Sequence, residues 1–419
     1  MMTQWKWRAS AVYLLWAGCI LWVDLLPVSA RQYRQWGRIA NRHYRGQPIL
    51  SALYFAGPPN PHALPLYTRH PAQPEPINWF DNANIDAALK PMRMVGLNTI
   101  KLSYWGHDGE TDDWSPTWLF SRTRWPDDRR YHDPHYSSHS TNDRYTEAEQ
   151  VALARRFFKR ATRQRLLFAP MLEVSRSFPF FIDFPDRIDD LVQRCTWLLK
   201  HFGKSSNWVR IYDQNGHSRY VIWLIETIHA TPCDPARFAA AFDTAALSIR
   251  KATGYQVGFI LDPTPLPAYG SHAGPTPATL RRCASVLAIN PYNITAQGNA
   301  HPKPQRDLTE EERLEYAESI LSQWSASGIP LLVPIIPGYD AHLAFPGNGS
   351  YGFNTAWRER ERQLAARYGA NGLSIDTWNG WTEGYAIPPS QEDSDVHLRW
   401  VREVLHSLPY KAPPQKRSG

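Results

Sequence analysis

Eight times between about residue 48 and residue 408, a short apolar run rich in β-branched and aromatic residues is followed by a longer stretch. Where that stretch is well patterned it has helical periodicity. The runs fall at 49–57, 97–106, 166–175, 220–227, 256–263, 285–293, 330–338 and 372–378. Near-continuous apolar runs are what strands buried on both faces look like, and their alternation with helices predicts a parallel sheet. Helical patterns occupy 84–95, 146–163, 234–253, 309–327 and 354–368. Their starts carry capping pairs, Thr309 with Glu312 and Thr146 with Glu149. Eight repeats predict closure into a single (β/α)8 TIM barrel, an α/β fold. A doubly wound open sheet is the alternative, but no G-x-G-x-x-G follows the early strands. Barrels of this kind run about 250 residues and exceed 400 with insertions, so 419 residues leave room for long loops.

One connection is too long for a simple link. Residues 106–144 follow the second run, so in a barrel they lie over the C-terminal face as a wall or lid of a cleft. At the N-terminus, Lys6 and Arg8 precede an uncharged, mostly apolar stretch from Ala9 to Val23, then Asp24 and the small residues Val28, Ser29 and Ala30. That outline is a secretory signal peptide over residues 1–30, predicting a secreted or periplasmic protein. The apolar stretch is shorter than the ~20 residues of a spanning helix, and an uncleaved N-terminal anchor, the barrel outside the cytoplasm, is the alternative. The barrel is expected over 48–408, and the polar, proline-rich segment 409–419 as a disordered tail.

The net charge of +7 is spread along the chain. Its densest basic run, 157–165, ends a predicted helix, where cations complement the helix dipole. No zinc-finger, helix-turn-helix or RNA-binding signature accompanies it, so nucleic acid is not an expected partner. Outside the N-terminal segment the cysteines are Cys195, Cys233 and Cys283, enough for one disulfide and without metal-like spacing. No neighbouring feature would lower their thiol pKa, so they read as structural. His132, His135 and His139 lie close in sequence, but Pro134 and the polar loop favour a solvated lid over a metal site. No metal or cofactor is expected.

Side chains at the C-terminal ends of barrel strands converge on one mouth. Glu173, Glu226, Asp262, Asp340 and Glu383 fall at or just past such ends, and Asp376 lies within the last run. By alternation Ser374, Asp376 and Trp378 share one face, which is expected to point into the barrel. Glycoside cleavage uses one protonated carboxyl toward the leaving oxygen and a second group at the oxocarbenium-like centre. Each carboxylate has a structural reading as well. Glu173 and Glu226 could be ion-pair partners, Asp262 a turn cap before Pro263, Asp340 a turn residue or arginine partner. Glu383, between Trp381 and Gly384, has a partly apolar setting that raises a carboxyl pKa and suits a general acid. Tyr104, Trp105, Tyr292, Trp378 and Trp381 also fall at strand ends, either as core packing or as sugar platforms. Their number, in a chain 13% aromatic with 18 Trp and no phosphate loop, favours a carbohydrate cleft.

The stretch "TWNGWTEGYAIPPS" resembles the terminal signature of glycoside hydrolase family 99 and of related family 71/99-like proteins of polysaccharide loci, W-N-E-W-x-E-G followed by an apolar-proline segment. "SALYFAG", "VGLNTIKLSYWG" and "PLLVPIIPGYDAHLAFPGN" resemble further segments, so the likeness spans most of residues 48–390, with specific motifs only in the last sixty. It implies a (β/α)8 barrel and a carbohydrate substrate. In that family the two motif glutamates are the implied catalytic pair, the first assisting attack by the substrate's 2-hydroxyl and the second acting as acid and base. Asn379, Trp381, Glu383 and Gly384 match the motif, but Gly380 stands in place of the first glutamate.

That departure leaves two routes. Glu226 first, then Glu173, Asp376 or Asp340, could supply the second catalytic function; otherwise the barrel binds glycan without cutting it. The expected activity is glycoside hydrolysis with Glu383 as general acid. Asn379, Asp340, Tyr292, Tyr104, Trp105, Trp378 and Trp381 are candidate substrate contacts. A polysaccharide-assembly or modifying protein is a further reading.

Overall fold

The computed structural model describes residues 35–54, 67–73, 81–104, 147–173, 188–225, 235–264, 276–292, 294–295, 308–343 and 349–410. Eight parallel strands run β1 (Ile49–Tyr54), β2 (Thr99–Tyr104), β3 (Leu167–Glu173), β4 (Ser218–Ile225), β5 (Val257–Leu261), β6 (Val286–Ile289), β7 (Val333–Ile335) and β8 (Gly372–Ile375). Each coincides with an expected run. One helix follows each strand: α1 (Asn82–Val95), α2 (Glu147–Arg163), α3 (Ile188–Phe202), α4 (Pro235–Thr253), α5 (Pro277–Leu280), α6 (Glu310–Ser325), α7 (Thr355–Tyr368) and α8 (Val396–Ser407).

Neighbouring strands pair in parallel from β7 through β8 and β1 round to β6. The remaining gap is spanned by the parallel bridge Ile289 to Leu331, with Ile289 N–H on Pro330 O and Leu332 N–H on Ile289 O, both 2.8 Å. The sheet thus closes into a (β/α)8 barrel rather than staying open.

Two apolar layers follow from the strand alternation. Outward residues such as Ile100, Phe168, Leu224, Phe259 and Ile375 pack under the helices. Inward residues such as Leu53, Met171, Trp223, Ile260 and Leu332 fill the barrel. Ile39, Tyr44, Val209 and Ile211 join the inner group. They belong to a segment before β1, and to the short strand Arg210–Tyr212 and the residue before it, the strand pairing antiparallel to β4. Trp36 and Ile39 are buried as well.

Local signals behave as read. Thr309 and Glu312 form a reciprocal capping box on α6. The basic run closes α2, where Arg160 Nε reaches Asp86 on α1 at 2.7 Å. Cys195 and Cys283 are buried free thiols whose pKa values burial pushes up, that of Cys283 to about 11, which disfavours the reactive thiolate. Leu408 to Tyr410 are placed, with Arg38 5.7 Å from the Tyr410 ring, and residues 411–419 lie outside the described residues. Among the described residues no helix is long and apolar enough to cross a membrane. The segment 1–30, the loop 106–144, Thr146, the His132–His139 cluster and Cys233 lie outside the described residues.

Candidate functional site

At the C-terminal mouth of the barrel, β7 and β8 hand over to segments that carry phenols and carboxylates. β7 leads into two short antiparallel strands, Gly338–Tyr339 and Tyr351–Gly352. β8 leads into a 3-10 turn, Trp381–Glu383, which ends at Gly384 with φ 71, a left-handed position that glycine adopts without strain. Glu383 is half-buried in this turn. Its Oε1 accepts from the Tyr339 hydroxyl at 3.2 Å and its Oε2 from the Tyr385 hydroxyl. Burial pushes its carboxyl above the ordinary range, and the two phenols pull against that shift by favouring the charged form.

The other carboxylates divide. Asp376 lies inside the barrel with no exposure, paired with Lys101 Nζ at 2.7 Å. Lys101 also donates to Ser374 Oγ at 2.9 Å and Asn290 Oδ1 at 3.4 Å, so its three N–H bonds have three acceptors. Trp223 Nε1 donates to the same Asn290 oxygen at 3.0 Å. Ser374 and Asp376 point inward, and the group is a satisfied ion-pair network tying β2 to the end of β8. The strand ends at Ile375, so alternation no longer carries to Trp378, which is buried at 1% exposure.

Asp262 is the turn cap of its structural reading, accepting the N–H bonds of Thr264 and Tyr292, each at 3.0 Å. Asp340 is an ion-pair partner. Its carboxylate lies 2.5 Å from His342 Nδ1 and 3.8 Å from Arg69, while its N–H donates to Glu383 O at 2.9 Å. That occupation leaves it a framing role beside Glu383. Trp381 packs on Tyr67 and Ala386 at 3% exposure, and among the described residues its Nε1 meets no acceptor. Asn379 is half-buried, its carbonyl receiving Trp381 N–H at 3.1 Å. Tyr292 is half-buried, its ring 5.2 Å from Lys101 Nζ. Glu173 ends β3 in register with Ile225, and Tyr104 ends β2 beside Leu172, which puts both backbones at the mouth. Glu226 and Trp105 lie outside the described residues, as do the side chains of Glu173 and Tyr104. Among the described residues no His, Cys, Asp and Glu group could hold a metal ion.

Gly380 has a steric explanation. A Cβ there would stand 2.3 Å from Thr377 Oγ1 and 2.5 Å from Cε2 of Tyr385. The Tyr385 ring fills the space that a side chain at 380 would enter.

Neither Lys101, Tyr339 nor Tyr385 stands out as a candidate in the sequence. Lys101 did leave a signal, because in "TIKLSY" it shares a face with Thr99 and Ser103, and a charge on an inward face requires a partner.

A second buried carboxyl lies outside the mouth. Glu361 on α7 is 3% exposed, and burial pushes its pKa well up, opposed by a hydrogen bond from the Ile336 backbone. A raised folded value contributes stability that is full below the ordinary carboxylate range and is lost as pH rises through the raised value. Glu361→Gln should therefore gain on the wild type as pH rises from 5 to 8, which urea unfolding at the two pH values measures. A stability difference between variant and wild type that is the same at both would contradict it.

No protein-family model matches the sequence, and no curated protein matches it. Solved structures do match. The chain is similar to the GH99 endo-alpha-mannosidase from Bacteroides thetaiotaomicron, at 13% identity over 85% of this chain and 96% of that one, with a TM-score of 0.55. What is shared is the barrel fold. A structure described as a glycoside hydrolase-like protein gives 12% identity, 85% and 93% coverage and a TM-score of 0.55. An exo-beta-1,4-mannosidase from Opitutaceae bacterium strain TAV5 gives 14%, 89%, 62% and 0.52. The three are described as glycosidases or glycosidase-like.

Proposed function

We propose that this protein is an exported glycoside hydrolase acting on an oligosaccharide or polysaccharide, with Glu383 as general acid. The observation that carries the reading is Glu383 itself, half-buried at the barrel mouth with a carboxyl raised by burial and held by two phenols. A carboxyl kept protonated near working pH can give its proton to a glycosidic oxygen as the bond to the anomeric carbon breaks. Water then adds to that carbon, and its proton returns to Glu383 directly or through a second base. The similarity to structures described as mannosidases supports a sugar ligand. Export rests on the character of residues 1–30.

Glu226 and Glu173 are the proposed sources of the second function, since Asp376 and Asp340 are already paired. The test is reducing-end release from a panel of glycans by the purified protein and by Glu383→Gln. Release by the wild type that falls by about 10²–10⁴ in the variant supports the assignment; equal release by both removes Glu383 from the chemistry. A second reading, a glycan-binding barrel without cleavage, is favoured by the filled space at Gly380. Saturable binding to a glycan that is never cut would select it.

A further inference from the structure

The position where this chain departs from the family-99 motif is also where a ring from five residues on has moved in. A Cβ at Gly380 would lie 2.5 and 2.8 Å from Cε2 and Cδ2 of Tyr385. From that place the Tyr385 hydroxyl donates to Glu383 Oε2. Tyr339, carried by a different strand end, donates to Oε1 at 3.2 Å. The two rings stack with centroids 5.6 Å apart, and Tyr351 stacks on Tyr339 at 5.6 Å in turn. Each carboxylate oxygen of Glu383 thus has its own phenol, and the phenols are fixed by stacking. This is a built arrangement around one carboxyl, and it depends on residue 380 having no side chain.

We propose that Tyr385 and Tyr339 form a phenol clamp, accommodated by Gly380, that positions the Glu383 carboxyl and poises it for proton exchange at the barrel mouth. Both act as positioning residues, and their catalytic meaning rests on the reading of Glu383 as the proton donor. Burial alone would hold Glu383 neutral, able to donate a proton once but reluctant to ionise. A donor on each oxygen favours the ionised state, so the group can pass through both states that acid catalysis requires. Among the described residues the titratable and charged groups near Glu383 include Tyr351 with Arg313 over its ring, Tyr292 beside Tyr385, and Asp340, whose carboxylate is paired with His342 and Arg69.

The experiment is carbon-13 NMR titration of the protein labelled at glutamate carboxyls, the Glu383 signal being the one lost in Glu383→Gln. Tyr385→Phe keeps the ring and removes only the donor, so the Glu383 midpoint should rise by about one pH unit. Tyr339→Phe, which removes the 3.2 Å bond, should raise it by less. An unmoved or lowered midpoint in a folded Tyr385→Phe protein overturns the clamp. Should that variant fail to fold, an unmoved midpoint in Tyr339→Phe overturns it equally. The pH-rate profile on any cleaved glycan is read in parallel, and its basic limb should move up with the midpoint. A raised midpoint in a protein that cuts no glycan supports the clamp and removes the hydrolase reading. Cleavage with an unmoved midpoint does the reverse.

Discussion

Lys101→Met is expected to cost the fold about 3–5 kcal/mol, read as a lowered midpoint in urea unfolding. The ammonium it removes is buried without exposure and is bonded to Asp376, Ser374 and Asn290. Methionine fills much of the volume but leaves the Asp376 carboxylate inside the barrel without its cation, and an unpaired buried charge is the costly outcome. Replacing both partners, as in Lys101→Met with Asp376→Leu, should recover much of the loss. The cost lies in the orphaned partner more than in the missing bond. A loss under about 1 kcal/mol for the single change would show that the network contributes little.

Gly380→Glu is the second change with a large expected effect. It completes the likeness to the family-99 motif, and a reading by motif alone predicts a gain of catalytic power. The geometry predicts the opposite. The new Cβ would stand 2.3 Å from Thr377 Oγ1 and 2.5 Å from the Tyr385 ring, closer than real contacts allow. Overpacking and a carboxylate placed in a buried turn together should cost at least about 3 kcal/mol. No new cleavage should appear, because displacing Tyr385 also removes its bond to Glu383. Adding Tyr385→Ala should restore part of the stability, a coupling between the two sites that thermal unfolding of the four proteins measures. A stable Gly380→Glu protein with raised glycan cleavage would contradict this account.

The legibility of the chain has a physical pattern. Strands such as "VGFIL" and "VLAI" are buried on both faces, so their identity is written locally as apolar runs, and their number decides closure. The α6 cap was legible for the same reason, since Thr309 and Glu312 act within one turn. Glu383 was readable because Trp381 and Gly384 flank it in sequence. What surrounds it was not, because Tyr339 comes from a strand end 44 residues away. The surroundings of Asp376 and Trp378 are out of local reach for a related reason. The alternation gave Asp376 its inward direction, but only the partner strand supplies Lys101, and beyond Ile375 there is no strand to carry the alternation to Trp378. Gly380 looked like a missing residue, and its meaning is the ring that fills its place.

The most direct test of Glu383 as proton donor compares leaving groups. Once a cleaved glycan identifies the sugar, the wild type and Glu383→Gln are assayed on that glycan and on the same sugar carrying a dinitrophenyl leaving group, which departs without a proton. If Glu383 is the proton donor, the loss is about 10²–10⁴ on the glycan and under about tenfold on the dinitrophenyl glycoside. Equal losses on both substrates would contradict it.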